Sequence, residues 1–94
     1  MNTVELLFKD KAIIRGGLML FSKNDAVKFV RECQKEKIKI LGIDSFKIIG
    51  EKIQPSLENS VDFSKTNETA NYDGAVDFIK SRSEEFYFEI TSDD

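Results

Sequence analysis

The sequence predicts an α+β fold in which two helices pack on one mixed or mainly antiparallel sheet of four to five strands. Apolar side chains recur at helical spacing over residues 22–35 and alternate with polar ones over residues 86–90, and residues 38–43 are rich in β-forming types. The 94 residues are the length of one domain. We therefore expect a single domain over residues 1–94, with residues 1–20 as a candidate N-terminal hairpin extension.

The first twenty residues permit two local structures. Val4, Leu6 and Phe8 alternate with their neighbours as in a strand, and residues 12–15 would then form the second strand of a hairpin. A short helix over residues 3–11 is the competing interpretation. The pattern alone leaves both open.

The clearest helix follows Ser22, whose hydroxyl can cap the first turn, with Asp25 at the third helical position. Its apolar face consists of Ala26, Phe29, Val30 and Cys33. Because Cys33 lies within this face, we interpret it as a buried structural thiol rather than a reactive one.

The middle of the chain is rich in β-forming residues. Residues 38–43 predict a strand that ends at Asp44, and residues 46–49 predict another. Residues 54–56 contain the one proline of the chain and predict a loop. Residues 60–63 alternate polar and apolar side chains, as a short strand does.

The last third of the chain predicts a loop, a helix and a strand. Residues 64–70 are polar and predict the loop, and Asn71 can cap a second helix that Gly74 weakens. Residues 86–90 predict a strand with one buried face. Residues 92–94 predict a frayed tail.

The net charge of −3 is unevenly distributed. Residues 1–50 hold ten Lys and Arg against six Asp and Glu, whereas residues 51–94 hold four against eleven. This acidic excess disfavours nucleic acid as a direct partner, because phosphate contacts need clustered Lys and Arg. It favours a basic protein partner, although a mildly acidic surface also serves solubility alone.

Residue types that support catalysis or cofactor binding are few. The chain has no histidine, which excludes His-based nucleophile pairs, acid–base catalysis by His and His-ligated zinc. Its one cysteine cannot form an intrachain disulfide or a thiolate metal cluster. Phosphate-binding and calcium-binding loop motifs are absent, and only a carboxylate-pair hydrolase would need no sequence signature. We expect no cofactor, no metal and no enzymatic activity.

The same composition indicates a cytoplasmic protein. A lone cysteine argues against a disulfide-stabilised secreted domain. Charged residues interrupt the first twenty positions, where a signal peptide would need an apolar segment. No apolar run approaches the ~20 residues that cross a bilayer, so we expect no membrane association.

The order of elements resembles a known family. A predicted helix opens at Phe21-Ser22, has Ala26-Val27 in its second turn, and is followed by the string ILGID at residues 40–44. A second predicted helix, with an Asn cap and with Ala75 and Ile79, is followed by the aromatic strand of residues 86–90. This pattern is similar to the immunity proteins of the tRNA anticodon-cleaving E-group colicin and of related contact-dependent growth inhibition (CDI) systems, over about half the chain. The resemblance implies a cytoplasmic inhibitor that plugs the active-site cleft of a toxic nuclease with an acidic surface, and it places Asp44 at the end of the matched strand.

Candidate toxin-binding residues come mainly from the stretch between residues 44 and 68, where acids and apolar side chains are mixed. The acids would supply the electrostatic half of the interface, and two phenylalanines would supply apolar anchors. The alternative is a solvated connection whose apolar residues belong to the core. The candidates are Asp44, Phe46, Glu51, Glu58, Asp62, Phe63 and Asp73.

The leading hypothesis is an immunity protein, monomeric when free, that neutralises a cognate toxin by occluding its active-site cleft. The expected partner is the basic nuclease domain of that toxin, a tRNA-cleaving ribonuclease. The alternative is a non-catalytic structural or adaptor domain that homodimerises through a sheet edge, for which residues 86–90 are the candidate.

Overall fold

The structure is a computed structural model that describes residues 2–63 and 72–93. In these ranges the helices are α1 (Thr3–Phe8), followed by a 3-10 turn (Lys9–Lys11), α2 (Lys23–Lys35) and α3 (Tyr72–Ser81). The strands are β1 (Ile13–Arg15), β2 (Leu18–Leu20), β3 (Lys39–Ile49), β4 (Lys52–Asp62) and β5 (Phe86–Asp93).

The strands form two antiparallel sheets, one of β1 and β2 and one in the order β4-β3-β5. The predicted α+β class is confirmed, but the prediction of two helices on one sheet is wrong in detail. The part of the chain that the structure describes has three α-helices, and a backbone bridge joins the two sheets at Phe21 and Phe88, with N···O distances of 2.9 and 2.8 Å. The chain turns into α2 at Lys23, so β2 ends before it can pair along β5.

The N-terminal segment is helical, so the strand predicted there is wrong and the competing helix is confirmed. Asn2 caps α1: its side chain accepts a hydrogen bond from the Glu5 N–H at 2.9 Å, and Glu5 accepts one from the Asn2 N–H at 3.0 Å. Val4 and Phe8 are buried four residues apart, whereas Leu6 is 60% exposed. The period of the buried positions is therefore that of a helix, not of a strand.

A hairpin does occur within the first twenty residues, but it is formed by β1 and β2. Gly16 and Gly17 connect them with φ angles of 56° and 78°, the two positive values that a two-residue type I′ hairpin turn requires. This turn lies against β4, since a Cβ on Gly16 would be 3.8 Å from Ile53 Cδ1. Leu20 and Phe46 are also buried, outside the main core cluster.

The predicted helix over residues 22–35 is confirmed as α2. The Ser22 hydroxyl accepts a hydrogen bond from the Asp25 N–H at 3.3 Å, as the capping pattern requires. Cys33 is completely buried. Burial, together with the nearby charges of Glu5 and Glu32, raises the pKa of this thiol to about 12, which is consistent with a structural role.

The middle strands are longer than the sequence predicts. The strands predicted before and after Asp44 are one strand, β3, so Asp44 lies within it and not at its end. The loop predicted over residues 54–56 is wrong, because this segment belongs to β4. Pro55 is tolerated there since β4 is an outer strand of the described sheet. The turn between β3 and β4 uses Gly50 at a φ of 62°.

The C-terminal elements agree with the predicted helix and strand. Helix α3 buries Ala75, Val76 and Ile79, and β5 buries Phe86, Phe88 and Ile90, in both cases on one face. The cap predicted at Asn71 and the loop over residues 64–70 lie outside the described residues. The predicted fraying is wrong at Ser92, which is in β5 and accepts a hydrogen bond from Asn2 Nδ2 at 2.6 Å.

The main core lies between the helices and one face of the β4-β3-β5 sheet. Its aromatic centre consists of Phe8, Phe21 and Phe29, with ring centroids 5.1 to 6.2 Å apart. From the sheet, Ile43 and Phe88 face this core. The residues next to Ile43 along β3, and those next to Phe88 along β5, must therefore face the opposite side of the sheet.

Candidate functional site

The face of the β4-β3-β5 sheet opposite the helices carries several carboxylates. Asp44 of β3 pairs with Glu89 of β5 in the strand register, and each lies next to a residue of the buried face. Asp62 of β4 and Thr91 of β5 both pair with Gly42 on the same side. We call this side the acidic face; its carboxylates are Asp44, Asp62, Glu89 and Asp93. It also carries Lys39, which pairs with Asp93, and the apolar pair Phe46 and Pro55.

A shallow groove of about 380 Å³ crosses the acidic face. Gly42 lies between the two outer strands here, and a Cβ on it would be only 3.1 Å from the Val61 carbonyl oxygen. A larger residue would therefore push against the backbone of β4 and fill the groove. The groove is lined by Leu41, Gly42, Asp44, Val61, Asp62 and Thr91.

The carboxylates of Asp44 and Glu89 are close enough to repel each other. Partial burial, and secondly the charge of Asp44, raise the pKa of Glu89. Among the described residues, neither carboxylate has a hydrogen-bond or ion-pair partner. A cation placed between them would relieve the repulsion and replace the water lost by burial.

Glu89 also borders a second, smaller pocket of about 210 Å³ beside the β1–β2 turn. Glu5 lies on another wall of this pocket, and the apolar walls include Met19 and Ile90. The acidic character of the face therefore continues around the edge of β5 towards α1.

The structure brings only some of the predicted site residues together. Asp44 and Asp62 line one groove. Phe46 pairs with Pro55 on the acidic face but is only 7% exposed, so it offers little surface to a partner. Phe63 is half-buried against the main core, and its N–H donates to the Leu41 carbonyl at 2.8 Å.

The other three predicted residues lie apart from the groove. Glu51 is exposed in the turn between β3 and β4. Glu58 is exposed in an irregular part of β4 next to Asp44. Asp73 is on α3, where it forms an ion pair with Arg31 at 2.8 Å, and therefore belongs to the helix side of the sheet.

Sequence reasoning missed Glu89. The alternating pattern of residues 86–90 could have indicated it, because Glu89 is a polar residue at an outward position of the strand predicted there. Its pairing with Asp44 depends on the register of β5 against β3, which the sequence does not specify.

Residues 2–63 and 72–93 contain neither a metal-binding cluster nor a helix suited to span a membrane. No group of three or more His, Cys, Asp or Glu residues there is arranged to hold a metal ion. None of the helices there has both the length and the apolar character that a bilayer-crossing helix needs.

No protein-family model and no curated protein matches this chain.

Proposed function

We propose that this chain is an immunity-type inhibitor that acts in the cytoplasm by binding the basic nuclease domain of a bacterial toxin, a tRNA-cleaving ribonuclease. The observation that carries the proposal is the pair Asp44 and Glu89 beside a groove, with no cationic partner among the described residues. The free chain is the monomeric form, and binding needs neither a cofactor nor nucleic acid.

The proposed mechanism is occlusion of the active-site cleft. A nuclease that binds RNA must present Lys and Arg where the phosphates lie. Carboxylates on a rigid sheet can take the positions of those phosphates, and their charge accelerates the encounter. Because Asp44 and Glu89 repel each other in the free chain, a basic partner gains more from this pair than from two separate acids.

The test is a charge reversal of that pair. We expect Asp44→Lys with Glu89→Lys to slow association with a purified basic, tRNA-cleaving toxin domain by at least about tenfold, and to reduce its salt dependence. A gene that adjoins this one is the first place to seek that domain. Stopped-flow or surface-based kinetics at several ionic strengths measure both effects. Protection of tRNA from cleavage by the same domain measures the inhibition.

A matched control has the same change of net charge on the helix side. Glu36 and Asp77 are exposed there, after α2 and on α3. Glu36→Lys with Asp77→Lys is expected to retain most of the association rate. The proposal fails if the two double variants associate at the same rate, or if the wild-type chain leaves tRNA cleavage unchanged.

A further inference from the structure

Strand β4 contains a four-residue bulge directly beside the acidic face. Ile43 pairs with Val61 and Ser45 pairs with Ser56, so residues 57–60 lie opposite the single residue Asp44. We call residues 57–60 the β4 bulge. Bulges of this kind redirect side chains at sheet edges and are frequent next to functional sites.

The β4 bulge is held by side-chain hydrogen bonds. The hydroxyl of Ser45, which is completely buried, donates to the Asn59 carbonyl. Asn59 Nδ2 donates to Ser56 Oγ at 2.9 Å, and its Oδ1 accepts from Arg82 Nη1 at 3.1 Å. Ser60 Oγ donates to the Ser56 carbonyl at 2.9 Å. These bonds reach from the sheet interior and from the end of α3, so they fix the shape of the bulge.

Leu57, the first residue of the bulge, is 86% exposed, more than any other exposed large apolar residue in the described ranges. Its neighbour Glu58 is also exposed. A single exposed leucine is common on protein surfaces. Here, however, the leucine belongs to a hydrogen-bonded bulge opposite Asp44, and a segment held in this way loses less entropy on binding.

We propose that Leu57 is the apolar anchor of the interface, inserting into an apolar socket of the basic toxin domain next to the contacts of Asp44 and Glu89. This inference rests on the proposed function and replaces Phe46 and Phe63 as anchors. Binding interfaces combine a few buried apolar anchors with surrounding polar contacts, and the bulge places the two kinds of group side by side.

Protection of an open strand edge would be another role for the bulge. Edges are protected by charged residues, prolines and bulges that turn the edge away. A polar residue at position 57 would serve that purpose better than leucine, because an exposed apolar side chain promotes association. The leucine is therefore explained by a partner rather than by edge protection.

The experiment measures the affinity of Leu57→Ala for the same basic toxin domain, purified as a catalytically inactive variant. We expect a loss of at least about 30-fold, mainly through faster dissociation. Leu6→Ala on α1 is the matched control, since Leu6 is also exposed at 60%, and its affinity should equal that of the wild type. Circular dichroism and thermal unfolding should be unchanged in both variants.

A second variant tests the rigidity of the bulge. Asn59→Ala removes the bonds to Ser56 and Arg82 but keeps Leu57. We expect a loss of about tenfold in affinity, and faster local exchange of the amide hydrogens in the bulge.

The outcomes separate this inference from the proposed function. Wild-type affinity in Leu57→Ala overturns the anchor role while the wild-type chain still inhibits. Loss of a wild-type homodimer in Leu57→Ala would assign Leu57 to a self-interface and also overturn it. Failure of the wild-type chain to bind the domain overturns the proposed function, and this inference with it.

Discussion

Glu89 is a carboxylate of the acidic face whose ionisation changes when the chain folds. Burial and the charge of Asp44 raise its pKa in the folded chain, so folding favours the protonated side chain. The resulting stabilisation is complete below the unfolded-state pKa of about 4.3 and is lost as the pH rises through the raised pKa. We expect Glu89→Gln, which is neutral throughout, to unfold at a higher temperature than the wild type at pH 7.

The pH dependence distinguishes this explanation from a general effect of the substitution. Below the unfolded-state pKa, Glu89 is protonated in both states and the two proteins should unfold at nearly the same temperature. Asp44→Asn should lower the pKa of Glu89 in an NMR titration, because it removes the neighbouring charge. If the unfolding temperatures of Glu89→Gln and the wild type differed by the same amount at every pH, the electrostatic explanation would be contradicted.

At the scale of the elements, local signals decided which predictions were correct. Helix α2 has a capping serine and four apolar residues on one face. The helix propensity of its residues, its cap and the spacing of its apolar residues therefore all predict a helix. At the N-terminus, the alternation of Val4, Leu6 and Phe8 suited a strand, but the cap formed by Asn2 and Glu5 favoured a helix. The cap was visible in the sequence and is the stronger signal in so short a segment.

The errors in the middle of the chain have a different cause. Whether Pro55 ends a strand depends on whether that strand lies at an edge, which is a property of the whole sheet. Likewise, Asp44 and Asp62 were named as candidates because both are acids of the mixed stretch between residues 44 and 68. That they line one groove depends on the register of β4 against β3. Burial of Phe46 depends on the packing of distant elements, which no local pattern specifies.

The floor of the groove gives a prediction at this scale. A Cβ on Gly42 would press on the Val61 carbonyl, so we expect Gly42→Ala to destabilise the fold by roughly 1–3 kcal/mol. Gly74 in α3 is the control: no atom lies within 4 Å of its Cβ position, and Gly74→Ala should stabilise the helix by about 0.5–1 kcal/mol. Urea unfolding measures both values, and equal effects of the two substitutions would contradict the close packing at Gly42.

At the scale of the whole molecule, the sheet separates two sides of different character. The helices and the main core are on one side. The acidic face is on the other, where the β1–β2 turn also lies against Ile53 and Phe46 is buried. Both outer edges of the sheet are interrupted. On the β5 edge, Phe88 is hydrogen bonded to Phe21, and Phe88 lies within residues 86–90, the edge through which the alternative homodimer would form. The β4 edge contains Pro55 and the β4 bulge.

These interruptions predict a monomer in solution. Light scattering should give a mass near 10.7 kDa that does not rise with protein concentration. Pro55→Thr restores a backbone N–H and a residue that favours strands, so this variant should associate more than the wild type. A wild-type mass near twice the monomer value would instead favour dimerisation of the free chain. A dimer that persisted in Leu57→Asp would place the contact away from the β4 bulge, whereas a dimer that this substitution disrupted would place the contact at the bulge.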